Sequence, residues 1–462
     1  MPSLEASWLV LPDRVVAHGR ILIEGDRIAA VEQESEVRSQ GSGDRSQESE
    51  YAIRNTRHTT RDTQSAIPNP KSKIVLPGLI NAHTHLEQTF MRGYSANRSL
   101  LDWLKNCIWK LQAAMTVEDV RLACMLGMVE ALRGGATTVI HHFKLPVTRQ
   151  HTDVVLQTAE QIGIRLVLAR AWNDRGANAE APDMILADFE RLYAEWHGAA
   201  NGRITIANGP ITPWRCSADM LRRTVELARR HGALTVCHMN ETRDEAAMTV
   251  QETGRRPVEW FDDLGVLGPD FHAIHGVWLS DAECELLARR RATVVHCPAA
   301  NMILASGVAP VTQLLRGGVN VALGTDGPAS NDGQDMIEMM RLAAYLARVT
   351  TLDPQALSPR QALDLATVNG AAALADARLG RLMTGAKADL VTLDLNAAHV
   401  QPVGDSLSAV VYNARGSDVD TVIVDGRVLM AGRHVLVLDE VALLDECRDR
   451  AAHLARRAGL SV

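Results

Sequence analysis

No run of ~18 apolar residues, the minimum for a membrane span, occurs anywhere in the 462-residue chain. Basic charge is not in excess either. The 48 Lys and Arg face 55 Asp and Glu, for a net charge of −7, so phosphate neutralisation gives the chain no hold on nucleic acid. The seven cysteines (Cys107, Cys124, Cys216, Cys237, Cys284, Cys297 and Cys447) contain no CxxC pair. That excludes a zinc ribbon and a disulfide scaffold and points to a reducing compartment. Met1 to Arg14 has neither the charged nor the apolar region of a secretory leader, so a cytoplasmic location is expected. What remains is 46% hydrophobic and 22% charged, the balance of a globular enzyme with ample core. At ~150 residues per domain the length allows about three units, and one α/β barrel can fill most of them.

The first thirty residues alternate apolar and polar positions around Gly25-Asp26, a hairpin signal. Residues 32–66 are dominated by Ser, Gln, Glu, Arg and Thr. Such a stretch buries too little to offset its ordering entropy and reads as a mobile insertion, with one short strand near Tyr51–Arg54. Eight β-type runs then alternate with helical stretches: Leu79–His83, Thr137–His141, Ile164–Arg170, Ile204–Gly209, Leu234–His238, His272–Gly276, Thr293–Cys297 and Val321–Thr325. The period predicts helices such as Ala218–Arg230 and Asp335–Arg348. Strands alternating with helices pair in parallel, and eight such units close a (β/α)8 barrel. An open doubly wound sheet lacks its glycine-rich loop here. Short strands return at Ala388–Asp394, Ser408–Tyr412, Thr421–Val424 and Arg427–Met430, and a helix over about Glu440–Ala458 follows. The expected layout is an α/β protein: a TIM barrel over 77–384 and a small β-sandwich from 1–76 and 385–436. A helix over 437–462 completes it.

Chemistry-bearing residues fall at strand ends. In Asn81-Ala-His83-Thr-His85 the two imidazoles lie two apart on a strand and so share one face. The fifth run ends in His238-Met-Asn-Glu241, the sixth in His275-Gly276, and the eighth in Asp326-Gly327. That is the carboxyl rim where barrel enzymes keep their active sites. Imidazoles converging with a carboxylate make a metal site. No lysine occurs between Lys144 and Lys387, so the carboxylated lysine that bridges two-metal hydrolases has no candidate. One divalent ion is favoured, Zn²⁺ first and Fe²⁺ as a substitute.

These motifs resemble the amidohydrolase superfamily. They are Pro77-Gly-Leu-Ile-Asn-Ala-His-Thr-His85, His238-x-x-Glu241, His275, His296-Cys-Pro298 with Asn301, Gly324-Thr-Asp-Gly327 with Ser330-Asn331, and Gly385-Ala-Lys-Ala-Asp-Leu390. More narrowly they resemble the branch of S-adenosylhomocysteine/methylthioadenosine deaminases, guanine deaminase and triazine hydrolases. The resemblance implies His83, His85, His238 and Asp326 as ligands of one metal and a reaction that releases ammonia from an aminated N-heterocycle. That heterocycle is a purine, pyrimidine, pterin or triazine. Asp326 would take a proton from the attacking water, Glu241 would protonate ring nitrogen, and His275 would stabilise the developing adduct. Displacement of chloride or alkylamine from a similar ring uses the same chemistry and stays open, as does a lapsed, ligand-binding homologue. The partner is thus a small heterocycle, with neither nucleic acid nor membrane, and relatives of this type form homodimers or larger homo-oligomers.

Substrate contacts are expected from Gln88, Gln112, Trp109, Ile211, Asn301, Ser330 and Asn331. Adenosine-type members carry glutamate near the position of Gln112 and Gly-Pro-His where this chain has Gly209-Pro-Ile211. Both departures count against a nucleoside, and glutamines at 88 and 112 resemble the triazine pattern. Among only 18 aromatic residues, Trp103, Trp109 and Trp214 are placed to stack a flat ring, with core packing the alternative. His141-His142 and Lys144 end the second run near the rim.

Overall fold

The computed structural model describes residues 2–33, 73–145 and 148–460. The expected insertion over 32–66 and its short strand lie almost wholly outside them. Four strands open the chain: β1 (Ser3–Val10), β2 (Val15–Glu24), β3 (Arg27–Gln33) and β4 (Lys73–Pro77). Eight more follow in alternation with helices: β5 (Leu79–Thr84), β6 (Ala136–Phe143), β7 (Arg165–Trp172), β8 (Ile204–Pro210), β9 (Thr235–Met239), β10 (Phe271–His275), β11 (Thr293–His296) and β12 (Asn320–Leu323). They pair in parallel in chain order. Both β6 and β7 are buried at every position, because helices cover one face and the barrel interior the other. Each strand contributes to that interior: Ala82, Ile140, Val167, Ala207, Val236, Ile274, Val295 and Ala322 form one cluster. Small and β-branched side chains fill a barrel of eight strands without leaving a pore.

No ladder joins β12 back to β5 among the described residues. The seam is closed instead by the Asp326 amide donating to the His83 carbonyl at 3.0 Å. Gly324 permits this approach, since a Cβ there would lie 2.9 Å from the His83 oxygen. A polar cluster fills the seam. Asn81 Nδ2 donates to Thr325 Oγ1 (2.7 Å) and Gln334 Oε1 (3.0 Å), and Thr84 Oγ1 donates to the Asp326 carbonyl (2.9 Å). The strands that end in the histidines and in Asp326 are thereby locked together.

The second sheet draws on both ends of the chain. β13 (Leu390–Asp394), β14 (Val419–Val424), β15 (Arg427–Ala431) and β16 (His434–Val435) join the first four in the order β16-β15-β14-β13-β4-β1-β2-β3. Leu9, Ile21, Ile28, Val75, Leu390 and Ile423 share its core. The 385–388 segment bridges it, Ile28 donating to the Ala386 carbonyl and Ala388 to that of Asp26. A buried ion cluster fastens the sheet to the barrel: Arg165 pairs with Asp389 (3.0 Å) and Asp425 (2.7 Å), and Lys387 with Asp425 (3.0 Å).

One expected strand is a helix. Residues 406–413 are helical, although Val410-Val411-Tyr412 favours extended backbone. Asp405 accepts the Ser408 amide at 2.7 Å, and Arg341 donates to the Val411 carbonyl at 3.3 Å. Ala409, Val410 and Val411 are buried. Capping and packing override the intrinsic preference. The closing helix runs Glu440–Arg457.

Candidate active site

The ends of β5, β9, β10 and β12 converge. His85 Nε2 lies 3.2 Å from His238 Nε2 and 3.4 Å from Asp326 Oδ1, and His83 Nε2 lies 3.3 Å from the same oxygen. Two ligands bound at 2.0–2.1 Å in a tetrahedral shell stand about 3.3 Å apart. These separations match the edges of such a shell. The outer nitrogens are anchored as ligand histidines require: His85 Nδ1 donates to the His142 carbonyl at 2.5 Å, and His238 Nδ1 to that of Ile211 at 2.7 Å. Neither ring nitrogen of His83, fully buried, has a hydrogen-bond partner among the described residues. A cation is the partner that chemistry supplies.

Burial holds the three imidazoles neutral. It lowers His83 to about 4 and pushes His85 and His238 down as well. Neutral nitrogen is the form that binds metal. Burial opposes ionisation of Asp326, but its contact with His83 and the neighbouring His275 and His85 rings outweigh it and hold the carboxyl well below its ordinary range. Glu241 goes the other way. Burial raises it well above the usual carboxyl value, and the charges of Glu245 and Asp326 add to the effect. The two carboxyls are thus pushed in opposite directions, the separation that acid–base chemistry uses.

Turns in the left-handed region aim these groups. Asn240 has φ +53°, His275 +73° and Asp326 +59°. The Asn240 side chain donates to the Trp278 carbonyl at 3.1 Å, holding the bend that returns Glu241 to the rim. Glu241 Oε2 then lies 3.5 Å from His275 Nε2, and Ser306 Oγ donates to its other oxygen at 3.5 Å. His275 Nδ1 donates to Asn301 Oδ1 at 3.0 Å. The next helix, Arg243–Thr253, starts with a reciprocal cap in which Glu245 reaches back to the Thr242 amide.

A cavity that opens to solvent lies over this cluster. The expected residues His85, Gln88, Trp109, Gln112, Ile211, His238, Glu241, His275 and Asp326 line it, as do Trp103, Trp214 and Lys144. Gln88 is buried with its Oε1 unpartnered among the described residues, and a Cβ on Gly327 would sit 2.0 Å from that atom. Asn301, Ser330 and Asn331 stand behind the wall instead. Asn301 holds His275, Ser330 Oγ donates to Asp326 Oδ2 at 2.9 Å, and Asn331 Nδ2 donates to the Gly333 carbonyl at 3.1 Å. Asn301 and Ser330 thus turn their side chains to His275 and Asp326, which face the cavity, whereas Asn331 closes its own turn. Sequence reasoning missed Glu245, Arg215 and the apolar wall of Leu100, Leu104 and Ile108. The Trp214-Arg215 pair directly after the fourth barrel strand was the one available signal for Arg215.

The sequence pattern of the Amidohydrolase family matches residues 74–429. The chain belongs to the amidohydrolase family. Within curated relatives it is 40% identical to a 5'-deoxyadenosine deaminase of Methanosarcina mazei over 402 residues, 86% of this chain and 90% of that one. It is 38% identical to a 5-methylthioadenosine/S-adenosylhomocysteine deaminase of Caldanaerobacter subterraneus subsp. tengcongensis, over 84% of this chain and 88% of that one. Among solved structures, an adenosine deaminase from Xanthomonas campestris with bound zinc superposes with a TM-score of 0.86 at 30% identity, covering 98% of both chains. An atrazine chlorohydrolase from Arthrobacter aurescens TC1 reaches a TM-score of 0.85 at 23% identity, over 98% of this chain and 100% of that one, a likeness of fold. Fold and family agree with the barrel and the motifs read from the sequence. Among the described residues no helix is long and apolar enough to cross a membrane.

Proposed function

We propose that the protein is a metal-dependent aminohydrolase that replaces the exocyclic amine of an N-heterocycle with a carbonyl and releases ammonia. One observation carries the reading: His83 and His85 Nε2 stand 3.3 and 3.4 Å from Asp326 Oδ1, His238 Nε2 stands 3.2 Å from His85, and Glu241 and His275 line the cavity beside them. His83, His85, His238 and Asp326 would hold the cation, and three nitrogens with one carboxylate suit zinc. When bound, a divalent ion supplies a Lewis acid that brings the pKa of water to about 7. Asp326 accepts a proton from the attacking water. Glu241 gives its proton to the ring nitrogen, so charge does not build on the ring as water adds to the amine-bearing carbon. His275, its Nδ1 donating to Asn301, offers the unprotonated Nε2 as an acceptor that orients the attacking water. The proton held by Asp326 passes to the amine, the C–N bond breaks as the adduct's hydroxyl becomes the carbonyl and returns its proton to Glu241, and ammonia leaves.

The relatives favour the adenine ring of a modified nucleoside as the first substrate to test. Gln112 can both accept from and donate to ribose hydroxyls, so its place on the cavity wall suits that class too. All seven cysteines are free and buried, which supports a reducing, cytoplasmic setting, and a homo-oligomer is expected on sedimentation. The deciding experiment is ammonia release by zinc-loaded protein from adenine nucleosides, guanine, cytosine, pterin and melamine, with Glu241→Gln as control. Release from any of them, abolished by the substitution while metal stays bound, supports the reading. Release of chloride or alkylamine from triazines without ammonia from the panel overturns it, as does a metal content of zero.

A further inference from the structure

His142 sits near the end of β6 and is fully buried. Among the described residues the cavity is lined without it, so its surroundings are protein groups rather than substrate. Its ring stands among the imidazoles already described. The ring centre lies 4.9 Å from that of His238 and 5.7 Å from those of His85 and His83. One ring nitrogen of His142 lies within 4.8 Å of one from each of these three. Its plane is turned by 21° from both His85 and His238. Those two rings, whose Nε2 atoms stand 3.2 Å apart, are themselves turned by 12°.

The two nitrogens of His142 have different neighbours. Nε2 lies 3.1 Å from the Gly209 carbonyl. A carbonyl oxygen can only accept, so Nε2 carries the proton and Nδ1 keeps the lone pair. Nδ1 has no hydrogen-bond partner among the described residues, and a bare acceptor buried in this way is costly. The same division marks His85 and His238, each with one nitrogen tied to a backbone carbonyl and the other turned to the cluster. It is the arrangement that fixes a ligand histidine. The seat is built for the ring. A Cβ on Gly209 would lie 2.7 Å from His142 Nε2 and 2.8 Å from the Arg170 carbonyl, so only glycine lets strand and imidazole draw this close.

We propose that His142 is a further ligand of the cation. With His83, His85 and His238 it forms an all-imidazole set, which shares three members with the set that Asp326 completes. The inference rests on the metal-dependent reading of the site and extends it in one respect. A cation held by four nitrogens stays in place without the Asp326 carboxylate, which can then carry a proton without releasing the ion. Imidazole donors suit copper as well as zinc, and Cu²⁺ binds such donors more tightly than Zn²⁺.

The test uses metal-depleted full-length protein and Cu²⁺ alone as the probe, because the hyperfine pattern in its electron paramagnetic resonance spectrum counts the nitrogens bound. Wild type should show four nitrogens on one copper per chain. His142→Leu should show three, with Cu²⁺ affinity lowered at least about 10-fold in competition against a chelator. Asp326→Ala should keep the copper and all four nitrogens, a result that a merely structural His142 would not give. Three nitrogens or no copper in wild type, four in folded His142→Leu, or loss of copper from folded Asp326→Ala overturns the proposal. If neither substituted protein folds, the wild-type count decides alone. Ammonia release by zinc-loaded enzyme whose copper form shows three nitrogens overturns this inference alone. Four nitrogens without ammonia from any heterocycle support it and overturn the deaminase reading instead.

Discussion

Replacing Gly324 by alanine strikes the seam at which β12 meets β5. Its backbone is not in the left-handed region, so alanine suffers no dihedral strain, and loss of unfolded-state entropy would by itself stabilise by about 0.4–1 kcal/mol. Contact decides the sign. The new Cβ would lie 2.9 Å from the His83 oxygen and 3.0 Å from its nitrogen, about 0.5 Å inside ordinary contact. Both atoms belong to the backbone of a buried strand, so neither can swing aside. Overpacking of this kind costs about 1–3 kcal/mol, leaving a net loss of roughly 1–2 kcal/mol. The larger effect falls on the metal. Asp326, two residues on, shares its shell with His83, and ligand distances tolerate only about ±0.2 Å. A displacement of this size should cost about 10- to 100-fold in zinc affinity. Competition against a chromophoric chelator measures it, and thermal unfolding of metal-depleted protein measures the packing cost separately. Zinc affinity indistinguishable from wild type in a folded Gly324→Ala protein would refute the argument.

His238→Ala should lose metal together with activity, read as zinc content after gel filtration against turnover on the same sample. Asn301→Leu removes the acceptor that orients His275; kcat should fall while zinc content is unchanged, and an unchanged kcat would show that the ring is held by packing alone. Burial opposes ionisation of Asp425, yet Arg165 and Lys387 hold its pKa below the usual 3.8. Its stabilisation is therefore complete above the unfolded-state value and is lost as pH falls through the folded one. Thermal midpoints of wild type and Asp425→Asn should run parallel between pH 6 and 8, at about the offset set by the lost charge, and converge below about pH 4.

The barrel was legible because its strands are buried on both faces and flanked by amphipathic helices. That pattern depends on chain-local periodicity alone. The convergence of His83, His85, His238 and Asp326 was legible for a related reason: all four sit at strand ends, and a strand end fixes which rim a side chain occupies. Residues on short helices beyond the strands were not. Asn301 and Ser330 reach His275 and Asp326 from behind, and no spacing rule tells the inner from the outer side of such a helix. Ser408–Tyr412 was misread because its helical state is imposed by Asp405 and Arg341, which local sequence preference does not weigh. Arg215 stands beside Trp109, more than a hundred positions earlier, only because the fold brings both to one cavity wall.

The pairing of β4 with β13, Val75 opposite Thr392, has a consequence in time. At 5–20 residues per second, a ribosome needs roughly 15–60 s to travel from one to the other. Throughout that interval β1, β2 and β4 present an unmatched edge with Leu9, Ile21 and Val75 beside it, all of them fully covered in the finished protein. An edge of this kind pairs with whatever strand arrives first. The order of emergence therefore makes the nascent chain, rather than the finished enzyme, the form most exposed to aggregation, and places chaperone demand before the last seventy residues are made.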